Sequence, residues 1–324
     1  KNNCKFHPIN IDSKGINIWN DINSLLHFYR IYKNIKPDII LQFTIKPNIY
    51  GSIAARFLKI KVINNIAGLG TLFYKTNMLT KFAIFLYKFS QRKVSYLFFQ
   101  NKDDKGLFER YNILKEQGSK ILPGSGVDLE KFNYKSNHSN NNTTFVLLSR
   151  LLKQKGISEY LKAAEIIKKK YPNVIFHLIG AFEKSSYGIN EDEINYYTQN
   201  KIVHYLGHVE DVRKYIAQSH CVILPSYYRE GVPKSLLEAA AMGKPIITTD
   251  NIGCREVVKH NENGFLCKKQ DSNDLANKIE QFIKLSEDKK KEMGKMSREK
   301  AENEFDNKLV LTSYLSAIQN ICNC

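Results

Sequence analysis

Short apolar runs alternate with longer segments of helical period along almost the whole chain, and this alternation limits the fold more than any other feature. Residues 39–44 (IILQFT) read as a buried strand, 46–48 (KPN) as a loop, 49–58 as a helix and 61–66 (KVINNI) as the next strand. Residues 96–100 (YLFFQ) with a helix at 103–111, and a strand at 120–123 leading into Gly124-Ser125-Gly126-Val127-Asp128, continue the series. A first strand candidate stands at 4–11 (CKFHPINI). Parallel strands need a crossover between them, usually a helix, so the expected class is α/β with parallel sheets.

The polar stretch 134–144 (YKSNHSNNNTT) is almost devoid of apolar residues and reads as a linker between a domain at 1–133 and a second at 145–307. The second domain offers strands at 145–148, 174–179, 203–206, 221–224, 246–248 and 264–266, with helices at 158–170, 212–218, 271–284 and 287–303. A last helical segment, 308–324, carries Leu309, Leu311, Tyr314, Leu315 and Ile318 and is expected to join the first domain. With 324 residues there is chain enough for two cores. The expected architecture is two doubly wound domains with a cleft between them, ligands lying at the carboxyl ends of the strands.

No run approaches the roughly 20 apolar residues of a spanning helix, so a soluble or peripheral protein is expected. The six cysteines show no C-x2-C pair, which disfavours a disulfide scaffold and structural zinc and fits a reducing cytoplasm. The net charge is +17, and residues 1–133 carry most of it, with 21 Lys and Arg against 9 Asp and Glu. Heavy use of Lys, Asn and Ile throughout the chain explains part of the excess. An electropositive surface for phospholipid, lipid-linked phosphate or nucleic acid is the other reading. Residues 73–93 mix Phe73, Leu79, Phe82, Ile84, Phe85, Leu86 and Phe89 with Lys75, Lys81, Lys88, Arg92 and Lys93. They read either as a sheet-covering helix or as a basic amphipathic face on an anionic membrane.

The chemistry gathers at 224–250 (LPSYYREGVPKSLLEAAAMGKPIITTD). Pro233 suits a first helical turn, 234–242 reads as helix and Gly243 as its stop. The N–H groups of Gly231, Val232, Lys234 and Ser235 around Pro233 would then open a helix suited to a phosphate or sugar oxygen. Glu230 and Glu238 would stand at two depths of one wall, placed to hold two hydroxylated groups of a single ligand. Lys46, at a strand end, reads either as an acceptor-phosphate ligand or as a surface lysine at a helix start.

The run EGVPKSLLEAAAMGKPI resembles the signature of retaining glycosyltransferases of family 4, and further motifs follow the family's order. Residues 149–156 (SRLLKQKG) resemble its R-x4-K-G segment, 124–128 its G-x-G-V-D, and 205–212 (YLGHVEDV) the segment against which the nucleotide base packs. Gly253-Cys254-Arg255-Glu256 and Asn263-Gly264-Phe265 complete the set, so the likeness covers nearly the whole chain. It is strongest to enzymes building capsule, lipopolysaccharide or N-glycan precursors on undecaprenyl diphosphate.

The resemblance implies the GT-B fold of two facing Rossmann-like domains. It also implies transfer of a hexose or N-acetylhexosamine from a UDP-sugar to a lipid-linked saccharide, with retention at the anomeric carbon. Arg150 and Lys155 would hold the donor diphosphate, Glu238 the ribose and Glu230 the donor sugar. Gly126, Val209, Asp211, Gly231, Val232, Pro233, Lys234 and Ser235 would complete the donor site, and Lys46, Gly68 and Gly70 the acceptor side. No cofactor or metal is expected, because no Asp-x-Asp motif lies at a strand end and cations meet the diphosphate charge. The expected place is the cytoplasmic face of the membrane, with no nucleic acid bound. Family members open with an apolar strand, a Gly-rich turn and a helix; nothing of the kind precedes Cys4, so the chain is expected to lack that unit. Competing readings are an inactive GT-B scaffold, an epimerase or phosphorylase of the same fold, and a basic nucleic-acid-binding protein. The low share of Arg among the cations argues against the last.

Overall fold

The computed structural model describes every residue except 1–3, 10, 12–16, 71–77, 134–141, 184, 230, 323 and 324. The chain divides into one unit of Lys1–Leu122 with Leu311–Cys324, and another of Pro123–Val310. The segment 123–133, assigned by the sequence pattern to the first domain, falls in the second unit.

The first unit runs α1 (Ile18–Ile35), β1 (Ile39–Phe43), α2 (Ser52–Phe57), β2 (Lys61–Ile66), α3 (Met78–Gln91), β3 (Tyr96–Phe99), α4 (Lys102–Arg110) and β4 (Gly118–Ile121). Its four strands are parallel in the order β1-β2-β3-β4, with Ile39 beside Lys61, Ile63 beside Tyr96 and Tyr96 beside Gly118. Local chemistry sets the helix ends. The Asn17 side chain accepts from the Trp19 N–H to open α1, and Asn101 accepts from Asp104 to open α4. Residues 46–48, expected as a loop, instead start a helix: Pro47 begins a π-type turn, Pro47–Gly51, that runs directly into α2. A proline fits there because the first helical N–H has no partner to lose. Residues 4–9 and Ile11, expected as a strand, form none. Pro8 has no N–H to give a ladder. Ile40, Val62, Leu97, Phe99 and Phe108 form the middle of this core.

The second unit runs β5 (Thr144–Leu148), α5 (Ile157–Lys170), β6 (Ile175–Ile179), α6 (Glu191–Gln199), β7 (His204–Tyr205), α7 (Arg213–Gln218), β8 (Cys221–Leu224), α8 (Lys234–Ala241), β9 (Ile246–Thr249), β10 (Gly264–Cys267), α9 (Ser272–Ile283) and α10 (Glu287–Lys300). α10 continues as a π-type turn, Ala301–Phe305; α11 (Asn307–Cys322) follows and from Leu311 onward belongs to the first unit, as expected of the last helical segment. The six strands are parallel in the order β10-β9-β8-β5-β6-β7. Strands β5, β8 and β9 are buried at every position, as expected of strands covered by helices on both faces. Both units are thus α/β with parallel sheets, as the alternation implied.

Candidate functional site

The strand order of the second unit reverses at one place. From β5 the chain steps to β6 and β7 on one side, and from β8 to β9 and β10 on the other. The segments leaving β5 and β8 therefore part toward opposite sides and open a crevice at their carboxyl ends, where doubly wound sheets bind ligands.

After β5 the chain passes Ser149 and Arg150, makes a tight 3₁₀ turn at Lys153–Lys155 and enters α5 through Gly156. Gly156 has φ +77, and a Cβ there would collide with the Pro225 carbonyl oxygen beyond β8. Only glycine satisfies both demands. The Gln154 carbonyl accepts from the backbone N–H groups of Tyr227 and Tyr228 at 3.0 and 3.2 Å, and from the Ser226 hydroxyl at 3.3 Å. At the end of β9 the Thr249 hydroxyl donates to the Ser226 carbonyl, and just beyond it the Asn251 amide donates to the Tyr228 carbonyl at 2.8 Å. Three loops at one end of the sheet are thus fastened together.

Gly231, Val232 and Pro233 are buried, and Pro233, extended at φ −62 and ψ 125, leads into α8 at Lys234. Ser235 follows in its first turn, and Gly243, at φ +65, lies two residues beyond its end. Glu238 stands half-buried one turn along. Burial pushes its carboxyl above the ordinary range, against the opposing pull of Lys234 and Lys131. Among the described residues no protein group donates a hydrogen bond to that carboxylate. Glu230 lies outside the described residues.

Arg150 is mostly exposed, its Nη1 3.3 Å from Glu183 Oε2. An exposed pair of this kind contributes at most about 1 kcal/mol. Lys155 closes the 3₁₀ turn immediately before Gly156. Arg150, Lys155 and residues 231–235 therefore belong to the two segments that flank the reversal point, with Glu238 in the helix that follows.

Val209 and Asp211 lie elsewhere, beyond β7 at the sheet's edge. Val209 packs partly into the core. The Asp211 carboxylate receives Arg213 Nε at 2.8 Å and Nη2 at 2.6 Å, and accepts from the Arg213 N–H at the start of α7. The guanidinium holds its carboxyl down at about 2. Gly126, at φ +72, meets the start of α11: a Cβ there would lie 2.7 Å from the Asn307 Cα.

In the first unit Lys46 forms an ion pair with Asp21 at 2.6 Å, and the Tyr50 hydroxyl donates to the same carboxylate at 2.8 Å. At 14% side-chain exposure Lys46 is no surface lysine. Gly68 and Gly70, at φ 108 and 61, follow β2. Gln154, Ser226, Thr249 and Asn251, which the sequence motifs do not single out, hold the loops. No local sequence signal marks them: Gln154 lies in the 3₁₀ turn and Ser226 in a loop, Thr249 ends β9 and Asn251 lies two residues beyond it. No helix among the described residues is long and apolar enough to cross a membrane, and no three of their His, Cys, Asp or Glu side chains converge as a metal cluster.

Residues 1–101 match the family "Glycosyl transferase 4-like". Among curated proteins, the capsular polysaccharide biosynthesis glycosyltransferase CapM of Staphylococcus aureus is 28% identical over 92% of this chain and 80% of its own. The N,N'-diacetylbacillosaminyl-diphospho-undecaprenol α-1,3-N-acetylgalactosaminyltransferase of Campylobacter jejuni is 26% identical over 93% of this chain and 81% of its own. Among solved structures, sucrose-phosphate synthase from Thermosynechococcus elongatus superposes with a TM-score of 0.78 at 18% identity, covering 94% of this chain and 79% of that one. Anabaena HepE in complex with UDP gives 0.77 at 20% identity, over 91% and 82%. These neighbours share the GT-B fold. Residues 128–300, more than half of the chain, match "Glycosyl transferases group 1", and the protein is a glycosyltransferase belonging to that family.

Proposed function

We propose that the protein transfers a sugar from a UDP-linked donor to a hydroxyl of a saccharide carried on undecaprenyl diphosphate, with retention at the anomeric carbon. The observation that supports this most is the fastening of the β5 and β8 segments at the reversal point, which puts the Arg150–Lys155 turn beside the approach to α8. Two relatives are named for undecaprenyl-diphosphate acceptors, the Campylobacter enzyme and an Escherichia coli α-1,3-galactosyltransferase that is named for UDP-Gal.

In this reading Arg150 engages the diphosphate with paired N–H donors and Lys155 as a point charge. As the bond from the anomeric carbon to the diphosphate oxygen breaks, its electron pair goes to that oxygen, and the two cations stabilise the charge developing there. The leaving phosphate takes the proton of the acceptor hydroxyl, whose oxygen bonds the anomeric carbon on the same face. Glu238 accepts hydrogen bonds from the ribose and Glu230 from the donor sugar, fixing the pose. The diphosphate charge is met without a metal, and the reaction takes place at the cytoplasmic face of the membrane. Incubation with UDP-sugars and an undecaprenyl-diphosphate saccharide tests this reading. Mass spectrometry should find the acceptor one sugar longer, and NMR should find the donor's anomeric configuration kept. An unextended acceptor, or an inverted linkage, would contradict it.

A further inference from the structure

Helix α3 carries an apolar stripe on the side it turns to solvent. Thr80, Ala83, Tyr87, Ser90 and Gln91 are buried and turn toward the first unit's core. Met78, Phe82, Phe85 and Phe89, spaced four, three and four apart, fall on one stripe roughly opposite and face solvent. Met78 is 81% exposed and Phe85 62%. An ordinary surface helix keeps its outward face polar.

The chemistry beside this stripe selects a partner. Lys81, Lys88 and Arg92 run along it, seven and four residues apart. Phe85, Lys88, Phe89, Arg92, Asn112 and Lys115 line a surface notch of about 330 Å³ containing three cations and no carboxylate. The Arg56 guanidinium lies 5.3 Å over the Phe89 ring and adds a fourth cation next to the notch. Between residues 39 and 102 there are ten Lys and Arg and no Asp or Glu. Apolar side chains rimmed by cations match the interface of an anionic bilayer, where rings enter the headgroup layer and cations meet phosphate.

We infer that the outward face of α3 docks on an anionic phospholipid surface, with Phe82 and Phe85 among the headgroups and Lys88, Arg92 and Lys115 around one lipid phosphate. This builds on the membrane-carried acceptor proposed above and names the surface that meets the membrane.

The test is co-sedimentation of the full chain with vesicles of phosphatidylcholine alone and of phosphatidylcholine and phosphatidylglycerol in equal parts. Binding should need phosphatidylglycerol and fall with salt. Lys88→Glu with Arg92→Glu, and separately Phe82→Ser with Phe85→Ser, should each lower binding by more than about tenfold. Lys291→Glu with Lys295→Glu on α10 changes net charge equally and should leave binding intact. A tryptophan reporter, Phe85→Trp in a Trp19→Phe background, should shift to the blue with the mixed vesicles. Equal binding to both vesicle types, equal loss in the α10 variant, or an unshifted reporter would overturn the inference, the last pointing to a protein partner for this face. Transfer to a water-soluble acceptor analogue should be unchanged in all these variants. Its absence in the unaltered chain would count against the proposed reaction and not against the docking surface.

Discussion

Gly156 and the Pro225 carbonyl oxygen stand so close that no side chain fits between the turn after β5 and the end of β8. Gly156→Ala would meet both a left-handed backbone, costing about 1–2 kcal/mol, and an overpacked contact, costing about 1–3 kcal/mol. Chemical denaturation should show a loss of about 2–5 kcal/mol. UDP affinity, measured by calorimetry at a temperature where the variant is folded, should fall with it. An alanine variant with unaltered stability and UDP affinity would show that the two segments are free to part.

Glu238 is expected to bind the donor equally in ground and transition states. Glu238→Ala should therefore raise the donor KM by about tenfold or more while kcat changes little. Glu238→Gln should bind UDP more weakly yet fold more stably at neutral pH, because burial disfavours the charged form. The folded state holds its proton above the ordinary carboxylate pKa, so wild-type stability should fall as pH rises from that value through the raised one. The Gln variant should lack this slope, and its advantage should vanish in acid. Parallel pH–stability curves would remove the buried-carboxylate assignment.

Much of this was legible in the sequence, for identifiable reasons. Strands 61–66 and 221–224 have the bounds read from their apolar runs, because runs closed by a helix-period segment leave little choice of register. Helix α1 carries a signal of its own, Asn17 before apolar residues at 18, 22, 25, 26 and 29, but a reading led by strand alternation passes over it. Lys46 could not be placed from its neighbours, since its partner Asp21 is 25 residues away. The loop fastenings are likewise non-local: Gln154 meets Tyr227 and Tyr228, and Asn251 meets Tyr228 23 residues back. Contacts fixed by strand order leave no local trace.

Lys244 is buried, with its Nζ donating to the Ala217 and Ser219 carbonyls at 2.7 and 2.9 Å at the end of α7. Burial pulls its ammonium down to about 8. Between there and the ordinary lysine value the unfolded chain binds more protons, so wild-type stability should rise with pH across that window by roughly 1–3 kcal/mol. In Lys244→Met, relief of the buried charge opposes the loss of two hydrogen bonds at neutral pH. The readout is therefore the difference between the two pH–stability curves, which should open in favour of wild type above about pH 8. A constant difference would mean that Lys244 stays charged in the folded protein across that window, with its ammonium not lowered by burial.

Arg150, Lys155 and the opening of α8 are proposed to meet the donor's charge unaided. Transfer should survive EDTA at unchanged kcat. Loss on chelation with recovery on adding Mg²⁺ or Mn²⁺ would assign part of that charge to a cation.

The proposal turns on the β5 and β8 segments forming the donor's diphosphate site. The most direct measurement is the rate of UDP release from a UDP-sugar, with the lipid-linked acceptor present, for wild type and for Arg150→Ala and Lys155→Ala. Wild type should turn over, and each variant should lose about a hundredfold or more in kcat while folding as wild type does. Turnover in both variants at the wild-type rate would contradict the assignment of this site.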